Sequence, residues 1–323
     1  MREVTDGTGR TVKVAARIER IVSLAPNLTE TVFALGQQAR LVGVTDYCDY
    51  PPQALTLPKV GGAINPSLER IVQMKPDVVL ATTALNRRET VDALEELRVP
   101  VFGTSDPRTV DEVLDSIALI ANLLDTGECG AALLADLRAR LTALRERLAE
   151  RKPARAFFIV WHDPLITVGR GTFIADALRR AGAQSVIDLP QDWPRISLEE
   201  VVRLNPEVLI FASSHSQEVT RTFETLATRP GWRDLRAVRE RRYAVISDAV
   251  NRPAPRLVQA IEELAKQLHP DAFAAEPEES AENRKEKREN RPAKKRPATM
   301  VSASDLPLHV LFSIFSFLFS GWQ

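Results

Sequence analysis

Trp161 and His162 are the side chains of this sequence best suited to ligand chemistry. They lie in the segment VWHDPL, directly after the apolar run FFIV, which predicts a buried strand. In α/β folds, residues at the carboxyl ends of strands contact ligands. A neutral imidazole nitrogen of His162 can bind a transition metal as an axial ligand. A lone histidine can equally be a hydrogen-bonded structural residue, so both interpretations stay open.

Catalytic motifs are absent from the sequence. No GxGxxG follows the first predicted strand, and neither a GxxxxGK[ST] loop nor a GxSxG turn occurs. His162, His215 and His269 do not have the HExxH spacing of a zinc site. The two cysteines, Cys48 and Cys129, form neither a CxxC metal motif nor a disulfide framework. The sequence therefore predicts a binding protein rather than an enzyme, without an intrinsic cofactor.

A repeated segment is the most informative feature of the chain. SLERIVQMKPDVVL begins at Ser67, and SLEEVVRLNPEVLI begins at Ser197. Each copy starts with a serine that can cap a helix, continues as an amphipathic helix, and passes through a proline into a strand. An internal repeat of this size predicts two lobes of similar α/β architecture.

Other segments show the same alternation of strand and helix. Arg20–Leu24 predicts a buried parallel strand. Asn27 and Glu30 predict a helix N-cap and its capping-box partner, and Gly36 is a natural residue at the end of that helix. Strands that alternate with helices of this length predict parallel sheets covered on both faces. The expected fold class is therefore α/β, with a parallel-rich sheet in each lobe.

A long helix is expected to connect the lobes. The segment Glu128–Glu150 lacks proline and carries leucines at helical spacing, so it predicts a helix of ~35 Å at ~1.5 Å per residue. The predicted organisation is an N-terminal lobe (1–126), a backbone helix (127–152), a C-terminal lobe (153–273), a disordered charged linker (274–300) and an apolar tail (301–323).

Length and composition agree with two soluble lobes. The chain has 323 residues, of which 44% are hydrophobic and 27% charged, so a core can form without disulfides. Lysine plus arginine (43) equals aspartate plus glutamate (43). Because the basic residues of the folded part form no long stripe, nucleic acid is not an expected partner.

The two termini bear on where the protein is located. The start, MREVTDGTGRTVKV, contains no apolar stretch, so no secretory signal peptide is expected there. The tail, LPLHVLFSIFSFLFSGW, is apolar but shorter than the ~20 residues of a spanning helix. A C-terminal membrane tether and a plain extension therefore stay as alternatives.

Five segments, in order along the chain, resemble the helical-backbone solute-binding proteins of cobalamin and iron-siderophore ABC importers. They read RIVSLAPNLTE, VGVTDYCDYPP, KVGGAINPSLERIVQMKPDVVLA, WPRISLEEV and SDAVNRPAPR. The resemblance covers Arg2–Phe273 and is greatest to the cobalamin-binding members. It implies two Rossmann-like lobes joined by one long backbone helix, with the ligand in the cleft between the lobes.

The resemblance also implies a ligand. Tyr47 and Trp193 match cleft aromatics of the cobalamin-binding members, and Asp248 matches a cleft position that can accept hydrogen bonds from corrin amides. Flat aromatic faces suit a broad macrocycle because they remove much apolar area from water at small entropic cost. The implied ligand is a corrinoid containing cobalt, delivered to an ABC importer.

Two of the matched cleft positions depart from the family pattern. Ala63 stands where the cobalamin-binding members have a tryptophan, and Ile166 stands where they have a phenylalanine. Trp161 and His162 are expected to supply the missing contacts, with His162 as a candidate axial ligand to the metal of the bound molecule.

Two alternatives remain for the function. The first is a ferric siderophore or haem, because siderophore pockets in this family use arginines and Arg170, Arg195 and Arg252 lie in predicted loops. The second is a corrinoid sensor without a transport role, either cytoplasmic or tethered to the membrane.

The resemblance further implies a partner and a location. Glu69 and Glu199 match the surface glutamates, one on each lobe, that dock onto arginines of a dimeric permease. A first-turn glutamate can also be there because the helix dipole favours it. The expected protein is a monomer in the periplasm or at the cell surface.

Overall fold

The polypeptide, described over residues 1–213 and 216–274 in a computed structural model, begins with an antiparallel hairpin. Its strands are β1 (Arg2–Thr5) and β2 (Thr11–Val14). Every second side chain of β2 is buried, which is the pattern of a strand with one face on the core. The carboxylate of Asp6, in the turn, accepts a hydrogen bond from the backbone N–H of Gly103 and so fastens the hairpin to the first lobe.

The N-terminal lobe is built on a four-stranded parallel sheet. In chain order its elements are β3 (Ile21–Ser23), α1 (Pro26–Ala34), β4 (Leu41–Val44), α2 (Leu68–Gln73), β5 (Val78–Thr82), α3 (Arg88–Glu96) and β6 (Val101–Thr104). The strands lie in the order β4-β3-β5-β6, and every neighbouring pair is parallel.

Two long helices follow, α4 (Val110–Leu123) and α5 (Gly127–Leu148). A three-residue loop joins them, and Arg138 of α5 lies 3.8 Å from Asp115 of α4, so the helices are antiparallel neighbours. With 22 residues, α5 is ~33 Å long. The long helix expected from the sequence is therefore present, and α4 packs beside it.

The C-terminal lobe repeats the architecture of the first. Its elements are β7 (Ala154–Ile159), β8 (Trp161–His162), β9 (Leu165–Ile166), α6 (Phe173–Arg180), β10 (Ala183–Ser185), α7 (Leu198–Leu204), β11 (Val208–Ala212), α8 (Ser216–Thr228), α9 (Arg236–Arg239), β12 (Tyr243–Ile246), α10 (Arg256–Leu268) and α11 (Pro270–Phe273). The main sheet has the order β10-β7-β11-β12 and is parallel throughout, while β8 and β9 form a separate antiparallel pair.

The two sheets have the same connectivity. Strands are counted here in chain order within each lobe. The second strand is an edge strand beside the first, and the third and fourth strands lie in that order on the other side of the first. The chain direction across the sheet reverses between β3 and β5, and again between β7 and β11. Open parallel sheets bind ligands at the carboxyl ends of the strands beside such a reversal. The α/β fold with two similar lobes, predicted from the internal repeat, is confirmed.

Each sheet is covered on both faces, as the continuous apolar strands predict. In β5, Val78 and Leu80 pack on one face, and Val79 packs on the other. In β11, Ile210 packs in the hydrophobic cluster on one face of the sheet, and Leu209 packs in the cluster on the other face. The strand sequences therefore read as unbroken hydrophobic runs rather than as alternating ones.

Helix α4 belongs to the cores of both lobes. Val110, Val113 and Leu114 pack in the C-terminal core, whereas Ile120 and Leu123 pack in the N-terminal core. Met1–Ala274 thus form one compact unit in which both α4 and α5 run between the lobes. The boundaries 1–126, 127–152 and 153–273 stay a prediction. Apart from Ala274, the stretches 274–300 and 301–323 lie outside the described residues.

The start of α1 differs from the capping box expected at Asn27 and Glu30. The N-cap residue is Ala25, which makes no side-chain cap hydrogen bond, and the helix begins at Pro26. Proline suits a first helical position because its fixed φ is already helical and its missing N–H would have no partner there. Glu30 lies inside the helix, buried, with its carboxylate directed at the other lobe.

Within residues 1–213 and 216–274, no helix combines the length and the apolar composition needed to cross a bilayer. The apolar tail 301–323 lies outside the described residues.

Candidate ligand cleft between the lobes

Two ion-pair contacts join loops of the two lobes. Arg252, after β12, donates to Asp49, after β4, at 2.6 and 3.1 Å. Arg108, after β6, donates to Asp192, after β10, at 2.6 Å. These four strands are the edge strands of the two sheets. The carboxyl ends of the sheets therefore face each other across a cleft, which has a β4–β12 end and a β6–β10 end.

Trp161 and His162 lie between these ends, because β7 is an inner strand and they follow it directly. The short pair of β8 and β9 holds the segment, and the indole Nε1 of Trp161 donates to the backbone oxygen of Asp163 at 2.7 Å. The two rings are stacked, with centroids 5.7 Å apart and an interplanar angle of 30°. Both side chains are partly exposed, so a flat aromatic pair follows an inner strand at the carboxyl edge of the C-terminal sheet.

Tyr47 lies at the β4–β12 end, three residues beyond β4. The backbone N–H of Asp46 donates to the oxygen of Gly61 at 3.0 Å, which ties this loop to the loop that follows. A Cβ atom built on Gly62 would lie 2.9 Å from Oδ1 of Asn65 but at an ordinary contact distance of 3.9 Å from the Tyr47 ring, so the glycine accommodates Asn65. Tyr47 is partly exposed.

Asp248 lies at the same end, in the other lobe. It begins the 3-10 helix Asp248–Asn251 that follows β12. The hydroxyl of Ser247 is 3.4 Å from its Oδ1, and the side chain is partly exposed. Asp248 therefore keeps acceptor capacity for a ligand amide, while the same short helix leads on to Arg252.

Trp193 lies at the β6–β10 end, next to Asp192. Its loop is fastened to the segment after β9, because the N–H of Gly169 donates to the oxygen of Asp192 at 3.0 Å. The approach is so close that a Cβ atom on Gly169 would lie 1.7 Å from the oxygen of Gln191, which only glycine permits. Trp193 packs partly on the C-terminal core and leaves part of its surface exposed.

Ala63 and Ile166 are buried, at 4% and 2% exposure, and present almost no side-chain surface to a ligand in this structure. Asn86, after β5, was not singled out in the sequence. Its amide nitrogen donates to the oxygens of Ala63 and Leu24, and its Oδ1 accepts from the N–H of Thr82. Asn86 therefore ties the ends of β3 and β5 together. In the sequence, its position shortly after a predicted strand is the feature that could have identified it.

The three arginines considered for an anionic ligand have different surroundings. Arg252 is buried and engaged by carboxylates of the N-terminal lobe. Arg170 pairs with Asp188 at 3.2 Å. Arg195 is exposed in the loop after Trp193. The cleft therefore does not present all three guanidinium groups to a ligand.

The described ranges contain no group of three or more histidine, cysteine, aspartate or glutamate side chains that could hold a metal ion. Cys48 lies buried, with its sulfur 3.1 Å from the hydroxyls of Thr29 and Thr45. Burial raises the pKa of the Cys48 thiol, which disfavours the thiolate that metals bind. His269 is bound to the oxygen of Gly182 at 2.9 Å. His215 lies outside the described residues.

Glu69 and Glu199 are exposed in the first turns of α2 and α7. Glu69 accepts a hydrogen bond from Gln73 one turn later, at 3.1 Å. Hydrogen bonds from its own backbone N–H and from the Ser197 hydroxyl lower the pKa of Glu199, so it is ionised at neutral pH. Each lobe thus displays one carboxylate at an equivalent position on its surface.

Comparison with known proteins places this fold in a family. Residues 21–249 match the periplasmic binding protein family. The chain belongs to that family. The vitamin B12-binding protein of Vibrio cholerae is 33% identical over 256 residues, which cover 77% of this chain and 89% of the relative. An uncharacterized ABC transporter substrate-binding lipoprotein of Bacillus subtilis is 29% identical over 284 residues, covering 84% of this chain and 86% of that relative.

Solved structures of periplasmic binding proteins have the same two-lobed fold. A crystal structure of the periplasmic vitamin B12 binding protein of Vibrio cholerae superimposes with a TM-score of 0.67 and 30% identity, covering 80% of this chain and 98% of the other. The periplasmic heme-binding protein of Roseiflexus sp. RS-1, in its apo form, has a TM-score of 0.68 and 28% identity, with coverage of 79% and 99%. The family resemblance found in the sequence is confirmed.

Proposed function

We propose that this periplasmic binding protein captures a corrinoid of the cobalamin type in the cleft and delivers it to the permease of an ABC importer. The observation that supports the proposal is that three partly exposed aromatic side chains lie on segments that follow strands of the two sheets. Tyr47 follows the edge strand β4, Trp161 follows the inner strand β7, and Trp193 follows the edge strand β10, so the proposed contacts span the cleft. Relatives named as vitamin B12-binding proteins support this choice of ligand.

The chemistry of binding follows from the residue types. Tyrosine and tryptophan faces remove a broad macrocycle from water at little conformational cost. Asp248, at the β4–β12 end, accepts hydrogen bonds from peripheral amides of the ligand. No bond in the ligand is broken, so the protein acts by binding alone and the corrinoid is its cargo.

His162 is proposed to contact the metal of the cargo. Its imidazole is partly exposed beyond the inner strand β7, and a neutral ring nitrogen can serve as an axial ligand. The absorption spectrum of aquocobalamin should change on binding to the wild type, and that change should be lost in His162→Ala. His269→Ala is the matched control. His269 lies at the C-terminal end of α10, where its ring is hydrogen-bonded to the backbone oxygen of Gly182, so it is not a proposed ligand contact.

Haem is the second candidate ligand. Similarity to a heme-binding protein at 28% identity favours it, and His162 would suit an iron as well as a cobalt. The flat rings of the cleft do not distinguish the two macrocycles by themselves. The peripheral groups do, because haem carries carboxylates that Asp248 would repel whereas corrinoids carry amides.

The permease is the proposed partner, and the periplasm or the cell surface the proposed location. One similar protein is described as an ABC transporter substrate-binding lipoprotein. Glu69 and Glu199, one on each lobe, supply two carboxylates for a dimeric permease to bind. The protein is proposed to act as a monomer.

Titration with a panel of ligands tests the choice of cargo. Purified protein is titrated with cyanocobalamin, cobinamide, haemin and a ferric siderophore, and binding is followed by tryptophan fluorescence. We expect saturable one-to-one binding, tightest for a corrinoid. Tighter binding of haemin or of the siderophore than of both corrinoids would overturn the corrinoid assignment.

A further inference from the structure

A cluster of four charged side chains, of which Glu30 and Arg252 are buried, bridges the lobes at the β4–β12 end of the cleft. Arg252 donates to Glu30 at 2.9 Å and to both oxygens of Asp49. Arg256 donates to both oxygens of Glu30 at 2.8 Å. Glu30 and Asp49 belong to the N-terminal lobe, and the two arginines to the C-terminal lobe. These four residues are the inter-lobe cluster.

The charges of the inter-lobe cluster are balanced, because two guanidinium groups face two carboxylates. The side chains of Glu30 and Arg252 are 2% and 9% exposed, so both charges have lost their hydration. Burial alone would lower the pKa of Arg252, but the hydrogen bonds and charges of Asp49 and Glu30 outweigh burial and raise it. Removing one member of such a buried pair leaves an uncompensated charge, which is strongly unfavourable. Each buried charge of the cluster therefore depends on partners in the other lobe.

Tyr50 extends the bridge. Its ring lies 3.4 Å from the guanidinium carbon of Arg256, so the arginine is held between the ring and the Glu30 carboxylate. A planar guanidinium can stack on an aromatic face and form bidentate hydrogen bonds at the same time, whereas a lysine ammonium cannot. The geometry thus requires arginine at this position.

The opposite end of the cleft has a weaker bridge. The Arg108 and Asp192 side chains are 52% and 37% exposed. Exposed ion pairs contribute little because water and salt screen them. The two ends therefore differ, because the cluster at one end contains the buried pair of Arg252 and Glu30, whereas the single pair at the other end is exposed.

The inter-lobe cluster is close in sequence to two proposed ligand contacts. Asp49 is two residues after Tyr47, and Arg252 is four residues after Asp248. The Asp49–Arg252 contact therefore joins the loop that carries Tyr47 to the short helix that begins at Asp248.

We infer that the inter-lobe cluster sets the distance between Tyr47 and Asp248, and thereby the size of ligand that the cleft accepts. Its members are positioning residues, since they act through the loops that contact the cargo. The part concerning ligand size rests on the proposed function; the part concerning the loops does not.

Two variants and a control test the inference. Arg252→Lys keeps the charge but loses the bidentate bond to Asp49. Asp49→Asn is the milder change, because the Asp49 side chain is 38% exposed and Arg252 retains Glu30. Arg140→Lys is the matched control, since Arg140 makes an equally bidentate pair with Glu262 between α5 and α10, away from both loops.

Hydrogen exchange of the ligand-free protein is the first measurement. We expect Asp49→Asn and Arg252→Lys to increase exchange in both the Tyr47 loop and the Asp248 helix, although each substitution is in one lobe only. Arg140→Lys should leave both segments as in the wild type. The decisive segment is the Asp248 helix for Asp49→Asn and the Tyr47 loop for Arg252→Lys, because each lies in the lobe that is not substituted. Exchange as in the wild type at both segments would overturn the inference, whatever the ligand is.

Calorimetric titration with cyanocobalamin and cobinamide, which differ in size, is the second measurement. Both cluster variants should bind cyanocobalamin roughly tenfold more weakly and show a changed ratio of the two affinities. The control should stay within about twofold of the wild type. An unchanged ratio despite faster exchange would sink the link to ligand size, whereas absence of corrinoid binding by the wild type would contradict the proposed function instead.

Discussion

Ser67 and Ser197 make the same hydrogen bond in the two lobes. The hydroxyl oxygen of each serine accepts from the backbone N–H three residues later, at 3.3 Å from Arg70 and at 3.2 Å from Glu200. Each serine is the N-cap of the helix that precedes the third strand of its sheet. The internal repeat therefore extends from the sequence to individual cap contacts, and it gives Glu69 and Glu199 equivalent places on the two lobes.

Glu69→Ala combined with Glu199→Ala is expected to slow association with the permease and to change its salt dependence. Ligand affinity and fold should be nearly unchanged, because both side chains are exposed. Uptake, permease binding and ligand affinity are measured for each single variant and for the double variant. Glu89→Ala, another exposed first-turn glutamate, is the control. Normal transport by the double variant would contradict the docking role.

Trp193→Ala should weaken corrinoid binding by about 1 to 3 kcal/mol, the scale of a large aromatic contact that becomes buried. Trp193→Phe should lose less, since a smaller ring keeps part of the contact area. Calorimetry measures both affinities. Equal affinity of the alanine variant and the wild type would show that the β6–β10 end does not hold the ligand.

Ligand binding should change the shape of the protein little. Helices α4 and α5 run side by side between the lobes, and α4 has side chains in both cores. A packed helix pair resists the hinge rotation that flexible strands permit. Scattering curves recorded with and without ligand should nearly coincide. A large decrease in the radius of gyration on binding would speak against the rigid connection.

Asp6 is expected to make stability depend on pH in acid. Burial alone would raise its pKa, but hydrogen bonds from Thr8, Arg10 and Gly103 outweigh burial and lower the pKa below the ordinary 3.8. A carboxylate with a lowered pKa stabilises the fold above its unfolded-state pKa, and this stabilisation is lost as the pH falls through the folded-state pKa.

Asp6→Asn should therefore reduce the free energy of unfolding by ~1 to 3 kcal/mol at pH 7, with a smaller difference from the wild type at pH 3. Urea unfolding at the two pH values measures this. Glu3→Gln is the control, because Glu3 lies in β1 and its only described ion pair, with Lys13, is exposed. A difference that is the same at pH 7 and pH 3 would mean that the Asp6 charge is not responsible.

Local features of the sequence determined the secondary structure and the fold class. The cap serines, the apolar strand runs and the leucine spacing of α5 each depend on residues within a few positions, and the repeat showed that the pattern occurs twice. Tyr47, Trp193 and Asp248 were identified by the family resemblance, whereas Trp161 and His162 were identified by their place after a predicted strand. Tyr47, Trp161 and Asp248 lie on loops or short elements that follow strands.

Only the tertiary structure decided which residues meet between the lobes. Glu30 has a helix N-terminal sequence around it, which suggested a capping box, but its partners Arg252 and Arg256 are more than 200 residues away in the chain. Likewise, Ala63 and Ile166 are buried rather than open to the cleft. Such contacts depend on how the two lobes pack against each other, and a buried charge needs a partner at that interface because an unpaired one is strongly unfavourable. No pattern within a few residues carries that information.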